Sequence, residues 1–112
     1  MTCIFCRIVS GEVPSQVVYQ DEDVFAFRDV NPQAPTHVLI IPRKHIASLR
    51  ELKPEDAALA WGLVLAAPRI AEAEGIAASG YRLIVNTGPN AGQVVQHLHF
   101  HLLGGRPLRG LG

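Results

Sequence analysis

A chain of 112 residues in which Lys plus Arg equal Asp plus Glu at ten each, with 48% apolar residues, has the composition of one small globular domain over residues 1–112. That balance excludes the basic footprint of a nucleic-acid binder and the solvated character of a disordered tail. The opening Met-Thr-Cys-Ile-Phe-Cys-Arg lacks the charged-then-apolar build of a secretory signal, and no apolar run reaches bilayer-spanning length, so no membrane partner and a cytoplasmic location are expected.

Residues 3–10 read as a short helix that stops at Ser10-Gly11. Val17–Gln20 and Val24–Arg28 read as two strands joined by the polar turn Asp21-Glu22-Asp23. The prolines of Asn31-Pro32-Gln33-Ala34-Pro35 predict a loop, which delivers the chain into the β-branched run at residues 37–41, ended by Pro42. The longest helix is expected to begin near Pro54, with Glu55 and Asp56 favouring its dipole and Leu59, Leu63, Ala66, Ala67 and Ile70 marking its apolar face. Pro68 lies inside it, and its missing N–H predicts a kink or two shorter helices before Gly75. Residues 81–86 read as a strand, and residues 87–93 as a loop rich in turn formers. Runs of strands with one main helical segment between them predict an α+β fold: an antiparallel sheet of about five strands, one main helix and a short N-terminal helix.

The chemistry concentrates in His97-Leu98-His99-Phe100-His101, which holds three of the five histidines, each separated from the next by an apolar residue. An extended strand alternates its faces, so His97, His99 and His101 share one side and Leu98, Phe100 and Leu102 the other. A row of imidazoles is costly to build, because each ring has two polar nitrogens that need partners and titrates near neutral pH. Cys3-X-X-Cys6 is half of a zinc site; the alternatives are free thiols packed under the sheet or an oxidation-sensitive pair.

The histidine row is similar to the His-φ-His-φ-His-φ-φ signature of the histidine-triad (HIT) proteins, and its surroundings resemble the Hint-like branch of nucleotide hydrolases. The resemblance covers nearly the whole chain: Cys3-Ile-Phe-Cys6, Ile8 and Glu12-Val-Pro14, then Phe27-Arg-Asp29-Val-Asn-Pro32-Gln-Ala-Pro35-Thr-His37, Ile41-Pro42-Arg-Lys-His45-Ile46, Asn86, Gly92-Gln93 and Gly104-Gly105-Arg106. It implies hydrolysis of a purine nucleoside 5′-phosphoramidate or a related nucleotidyl ester, with His99 as nucleophile and a nucleotidyl-histidine intermediate. It further implies that His101 and His37 hold the phosphate oxygens and the geometry. Asn86 and the backbone N–H groups of Gly92 and Gln93 would stabilise the spreading charge, and Asp29, beside Val30, would accept both ribose hydroxyls. Phe5, Ile8 and Phe27 are expected to wall the purine base. His45 and His97 stand where some HIT relatives complete a Cys2His2 tetrahedron with Cys3 and Cys6, which implies a structural zinc and no catalytic cofactor.

Val94 departs from the Hint-like pattern, which often has a hydroxyl residue five before the nucleophile, and valine has no proton for a departing amine. The C-terminal residues 105–112 lack the aromatic tail of dimeric relatives, yet a homodimer through the main helix and the strand at residues 81–86 is expected. Two rival functions share the same residues. Imidazoles on one strand can hold a catalytic metal, and a nucleotide-binding or scaffold protein can keep such a site with incidental turnover.

Overall fold

The computed structural model describes residues 3–112; the first two residues of the expected domain lie outside the described residues. Five strands, β1 (Val17–Gln20), β2 (Val24–Arg28), β3 (Thr36–Pro42), β4 (Tyr81–Val85) and β5 (Phe100–Gly104), form one antiparallel sheet in the order β1-β2-β3-β5-β4. Helix α1 (Ile4–Val9) lies on one face and α2 (Ala57–Ala73) on the other. Among the described residues, no helix is long and apolar enough to cross a membrane.

Alternation along the strands divides the two faces. Val24, Ala26, Val38, Ile40, Phe100 and Leu102 pack with Leu63, Ala66, Ala67 and Ile70 of α2. Phe25, Phe27, Leu39 and Ile41 point the other way and pack around Phe5 of α1. His37 and His101 have the parity of this second face, and β3–β5 register sets Leu39 opposite His101. His37 and His101 are thus carried by two adjacent interior strands, β3 and β5.

Two expectations are corrected here. Of the two outcomes expected at Pro68, division into two helices is not found: α2 runs unbroken from Ala57 to Ala73. Pro68 and Val64 both lie on the exposed side of α2, where solvent can satisfy a Val64 carbonyl that has no i+4 donor. The histidine row also does not lie wholly in a strand, since β5 begins at Phe100. Before that point the backbone bonds elsewhere, with Leu98 N–H donating to the Ile46 carbonyl at 2.6 Å. The alternation nevertheless persists, with Leu98 buried on the α2 side.

A short 3-10 turn at Pro54–Asp56 precedes α2, and Asp56 holds it by accepting from the Lys53 N–H and from Lys44 Nζ, each at 3.0 Å. At the end of β5, a Cβ on Gly104 would stand 2.7 Å from Ile76 Cδ1. Gly105 has φ +98°, and its added Cβ would meet Pro35 at 2.8 Å, so backbone conformation and close approach together call for glycine there.

Candidate active site

Hydrogen bonds assign a proton to each ring of the triad. The Gln33 N–H donates to His37 Nδ1 at 3.0 Å, so a neutral His37 carries its proton on Nε2. That Nε2–H lies 2.9 Å from His101 Nδ1 and 3.4 Å from Asp29 Oδ2. With Nδ1 accepting, neutral His101 carries its proton on Nε2. His99 is set the opposite way: its Nδ1–H donates to the His97 carbonyl at 2.7 Å, which leaves the lone pair on Nε2.

Burial drives the titration of these rings. His101 falls from the usual 6.5 to about 4, first because it is desolvated and then because charge on His99 or His37 would repel its own, with Asp29 opposing. His37 is lowered by burial, also against the pull of Asp29. Both rings are therefore neutral at physiological pH. Asp29 Oδ1 accepts from the Asn31 N–H at 2.9 Å, which leaves Oδ2 facing His37.

His99 and His101 open into a cleft of about 400 Å³. Phe5, Ile8 and Phe27 line it, Asp29 stands at one side, and the nearly fully exposed Val30 and Val94 flank it. Ile4, Val13, Pro14, Leu39 and Val95 complete the wall and were not anticipated, since their apolar character in sequence does not distinguish a wall from a core. Apart from Asp29, His99 and His101 the lining is apolar. Phe5 meets His99 edge-on with centroids 5.2 Å apart.

The loop before the histidine row is braced internally. Gly92 N–H donates to the Pro89 carbonyl at 3.0 Å and Gln93 N–H to the Gly88 carbonyl at 3.1 Å, so both groups expected to face phosphate already have partners. The buried Gln93 side chain accepts from Gly88 N–H and donates to the carbonyls of Ala47 and Val95, which ties the loop to the chain after β3. Gly92 takes φ +84° at the close of a 3-10 turn. Asn86 follows the end of β4 and is not part of the cleft wall.

Behind the triad, ligand atoms of Cys3, Cys6, His45 and His97 all lie within 4.8 Å of one another. Cys3 Sγ is 3.4 Å and Cys6 Sγ 3.6 Å from His97 Nδ1, and Cys6 Sγ is 3.3 Å from His45 Nδ1. A tetrahedral ion with bonds of about 2.3 Å to sulfur and about 2.0 Å to nitrogen sets S···N separations near ~3.5 Å, so the four residues fit zinc. His97 Nε2–H donates to the Pro42 carbonyl at 2.8 Å, which turns the Nδ1 lone pair toward the sulfurs. Burial raises the Cys6 thiol, with Cys3 adding to the shift.

Asp29, His37 and His101 also lie close enough to share an ion. Their protons argue otherwise: with Nδ1 accepting from Gln33, His37 could offer Nε2 to a metal only as an imidazolate or by giving up that bond. This trio is a hydrogen-bonded relay, which weighs against the metal-dependent hydrolase.

The HIT domain model matches residues 10–108. The chain is 52% identical over 105 residues, 94% of its length and 88% of the relative's, to a purine nucleoside phosphoramidase of Escherichia coli strain K12. It is 44% identical over 102 residues to Protein HitA of Neisseria gonorrhoeae, covering 91% of this chain and 94% of that one. The crystal structure of a HIT family hydrolase from Legionella pneumophila Philadelphia 1 superposes with a TM-score of 0.94 at 47% identity, over 96% of each chain. A HIT family hydrolase from Clostridium thermocellum gives the same TM-score at 50% identity, over 97% of this chain and 95% of that one. With the triad, its sheet and these relatives in agreement, the chain belongs to the HIT family.

Proposed function

We propose that this HIT-type hydrolase cleaves purine nucleoside 5′-phosphoramidates, or related nucleotidyl esters, through a covalent intermediate on His99. The observation that carries the reading is the His99 Nδ1–H bond to the His97 carbonyl, which leaves a nucleophilic nitrogen on a ring that lines the cleft. Nε2 attacks phosphorus, the new N–P bond forms, and the P–N or P–O bond to the leaving group breaks with its electron pair, the departing amine or alcohol taking a proton from water. As Nε2 gains positive character, the His97 carbonyl stabilises the ring through Nδ1–H. Water then attacks the phosphorus, releases neutral His99, gives up its proton to solvent and yields the nucleoside monophosphate.

His101 supports the transition state with its Nε2–H, held in that tautomer by His37 and, behind it, by Gln33. Asp29 takes the ribose hydroxyls, with Oδ1 already oriented by Asn31. Phe5, Ile8, Phe27 and Val30 form the base side of the cleft, while Val94 borders the phosphate. Asn86, just beyond β4, is assigned to stabilising the phosphate charge, and Gln93 braces the turn at Gly92. The test is transfer: His99→Ala should lose at least about a thousandfold in turnover and keep product-nucleotide affinity within a few fold. Substantial residual turnover would refute the covalent route, and loss of nucleotide binding together with turnover would refute the assigned role.

Cys3, Cys6, His45 and His97 would hold a structural zinc, which supplies a closed four-coordinate cross-link and no open position for water. The free Cys3 and Cys6 suit a reducing compartment such as the cytoplasm. A homodimer would cover Trp61, 62% exposed on α2, and pair the open edge of β4. A purely binding or scaffolding role is the alternative, and a measured turnover number decides between them.

A further inference from the structure

Helix α1 serves two sites at once. It spans only Ile4–Val9, with Cys3 as its N-cap. Cys3 and Cys6 supply both sulfurs of the four-residue cluster, while Ile4, Phe5 and Ile8, interleaved with them, form a wall of the cleft. A helix this short has almost no stability of its own in water and holds its place only by what it touches. Phe5 is its one buried anchor.

His97 joins the same two sites from the other side. Its Nδ1 faces the sulfurs, its Nε2–H is fixed on Pro42, and its carbonyl receives the His99 Nδ1–H. The Phe5 ring meets both His97, at 5.8 Å between centroids, and His99, at 5.2 Å. Hydrogen bonds alone would join these sulfurs and imidazoles weakly, because S–H is a weak donor. Four coordinate bonds in their place would pin the start of α1 to His45 and His97, and with it the wall a nucleoside base must lean on.

We propose that zinc capture by Cys3, Cys6, His45 and His97 and nucleotide binding in the cleft are energetically coupled through α1, so that each tightens the other. The coupling rests on the zinc and nucleotide readings given above. Because coupling between two binding equilibria is reciprocal, the factor by which zinc improves nucleotide affinity equals the factor by which nucleotide improves zinc affinity.

The experiment uses the full chain and AMP as the probe. AMP affinity is measured by calorimetry on zinc-loaded and chelator-stripped protein, and zinc affinity by equilibrium competition between the protein and a chromogenic chelator, with and without saturating AMP. Zinc should tighten AMP binding at least about fivefold, and AMP should tighten zinc binding by the same factor. AMP chelating zinc by itself would draw metal from the protein, so tightening has one source. Equal AMP affinity in both forms, or a zinc affinity unchanged by saturating AMP, would overturn the coupling. If stripped protein loses its fold, the zinc competition with and without AMP decides alone. Metal analysis and the AMP titration of loaded protein test the two underlying readings separately: absence of stoichiometric zinc overturns the first, absence of saturable AMP the second, and either takes the coupling with it.

Discussion

The Nδ1 of His99 lies 2.7 Å from the carbonyl oxygen of His97, and this single contact selects which nitrogen of the ring is free to react. The same residue whose carbonyl orients His99 has its ring turned the other way, toward Cys3 and Cys6. Chemistry and architecture therefore meet at His97, which is wholly buried.

Val94 borders the cleft beside His99 and His101 and has no proton to give. Val94→Ser should raise turnover of phosphoramidates with basic alkylamine leaving groups by on the order of tenfold, while substrates that release a nitrophenolate change little. A panel of AMP conjugates with graded leaving-group basicity measures this; an equal response across the panel would remove Val94 from the leaving-group side.

Acid should destabilise the fold through His101. Its folded value, about 4, lies below the ordinary 6.5, so between these values the unfolded chain binds a proton that the folded one refuses. Stability is then full above the ordinary value, falls as the pH drops toward 4, and loses nothing further from this group below that. His37, also lowered, contributes with the same sign. Urea midpoints from pH 7.5 to 4 should therefore slope, and His101→Gln should flatten part of that slope; an unchanged slope would show that His101 is not the source.

Removing zinc should cost stability and leave chemistry. Chelation is expected to lower the melting temperature by about 10 °C or more. At a temperature where the stripped protein stays folded, kcat at saturating nucleotide should persist, with weaker nucleotide binding. Loss of kcat in folded protein, restored when metal returns, would favour the metal-dependent route.

Gly105→Ala combines a left-handed φ of +98° with a contact of 2.8 Å to Pro35. It should destabilise by about 1–3 kcal/mol. Gly110→Ala, with nothing within 4 Å of the added Cβ, serves as the control in the same denaturation series. Equal midpoints would mean that the Gly105 turn relaxes freely.

Side-chain pattern was the readable part of this chain. Alternation in the histidine row separated its α2 face from its site face, and the spacing of Cys3 and Cys6 marked half of a cluster that the fold completes with His45 and His97. What escaped was decided by the main chain or by solvent. Whether Pro68 breaks α2 depends on Val64 facing water, which no local signal states. The Gln33 N–H that sets the His37 tautomer, and the internal partners of the Gly92 and Gln93 N–H groups, are backbone contacts with no signature in residue type. Gln93 was read for its backbone N–H, and the bonds by which its side-chain amide ties three backbone groups together had no signature in the sequence.

The most direct measurement is acid-quench mass spectrometry of the wild-type protein during turnover of adenosine 5′-phosphoramidate. An adenylyl mass should appear on the peptide containing residues 97–101, map to His99, and be absent from the His99→Ala protein. Steady turnover with no adduct at any quench time, in a His99→Ala protein that still hydrolyses the substrate, would contradict the nucleophilic role of His99.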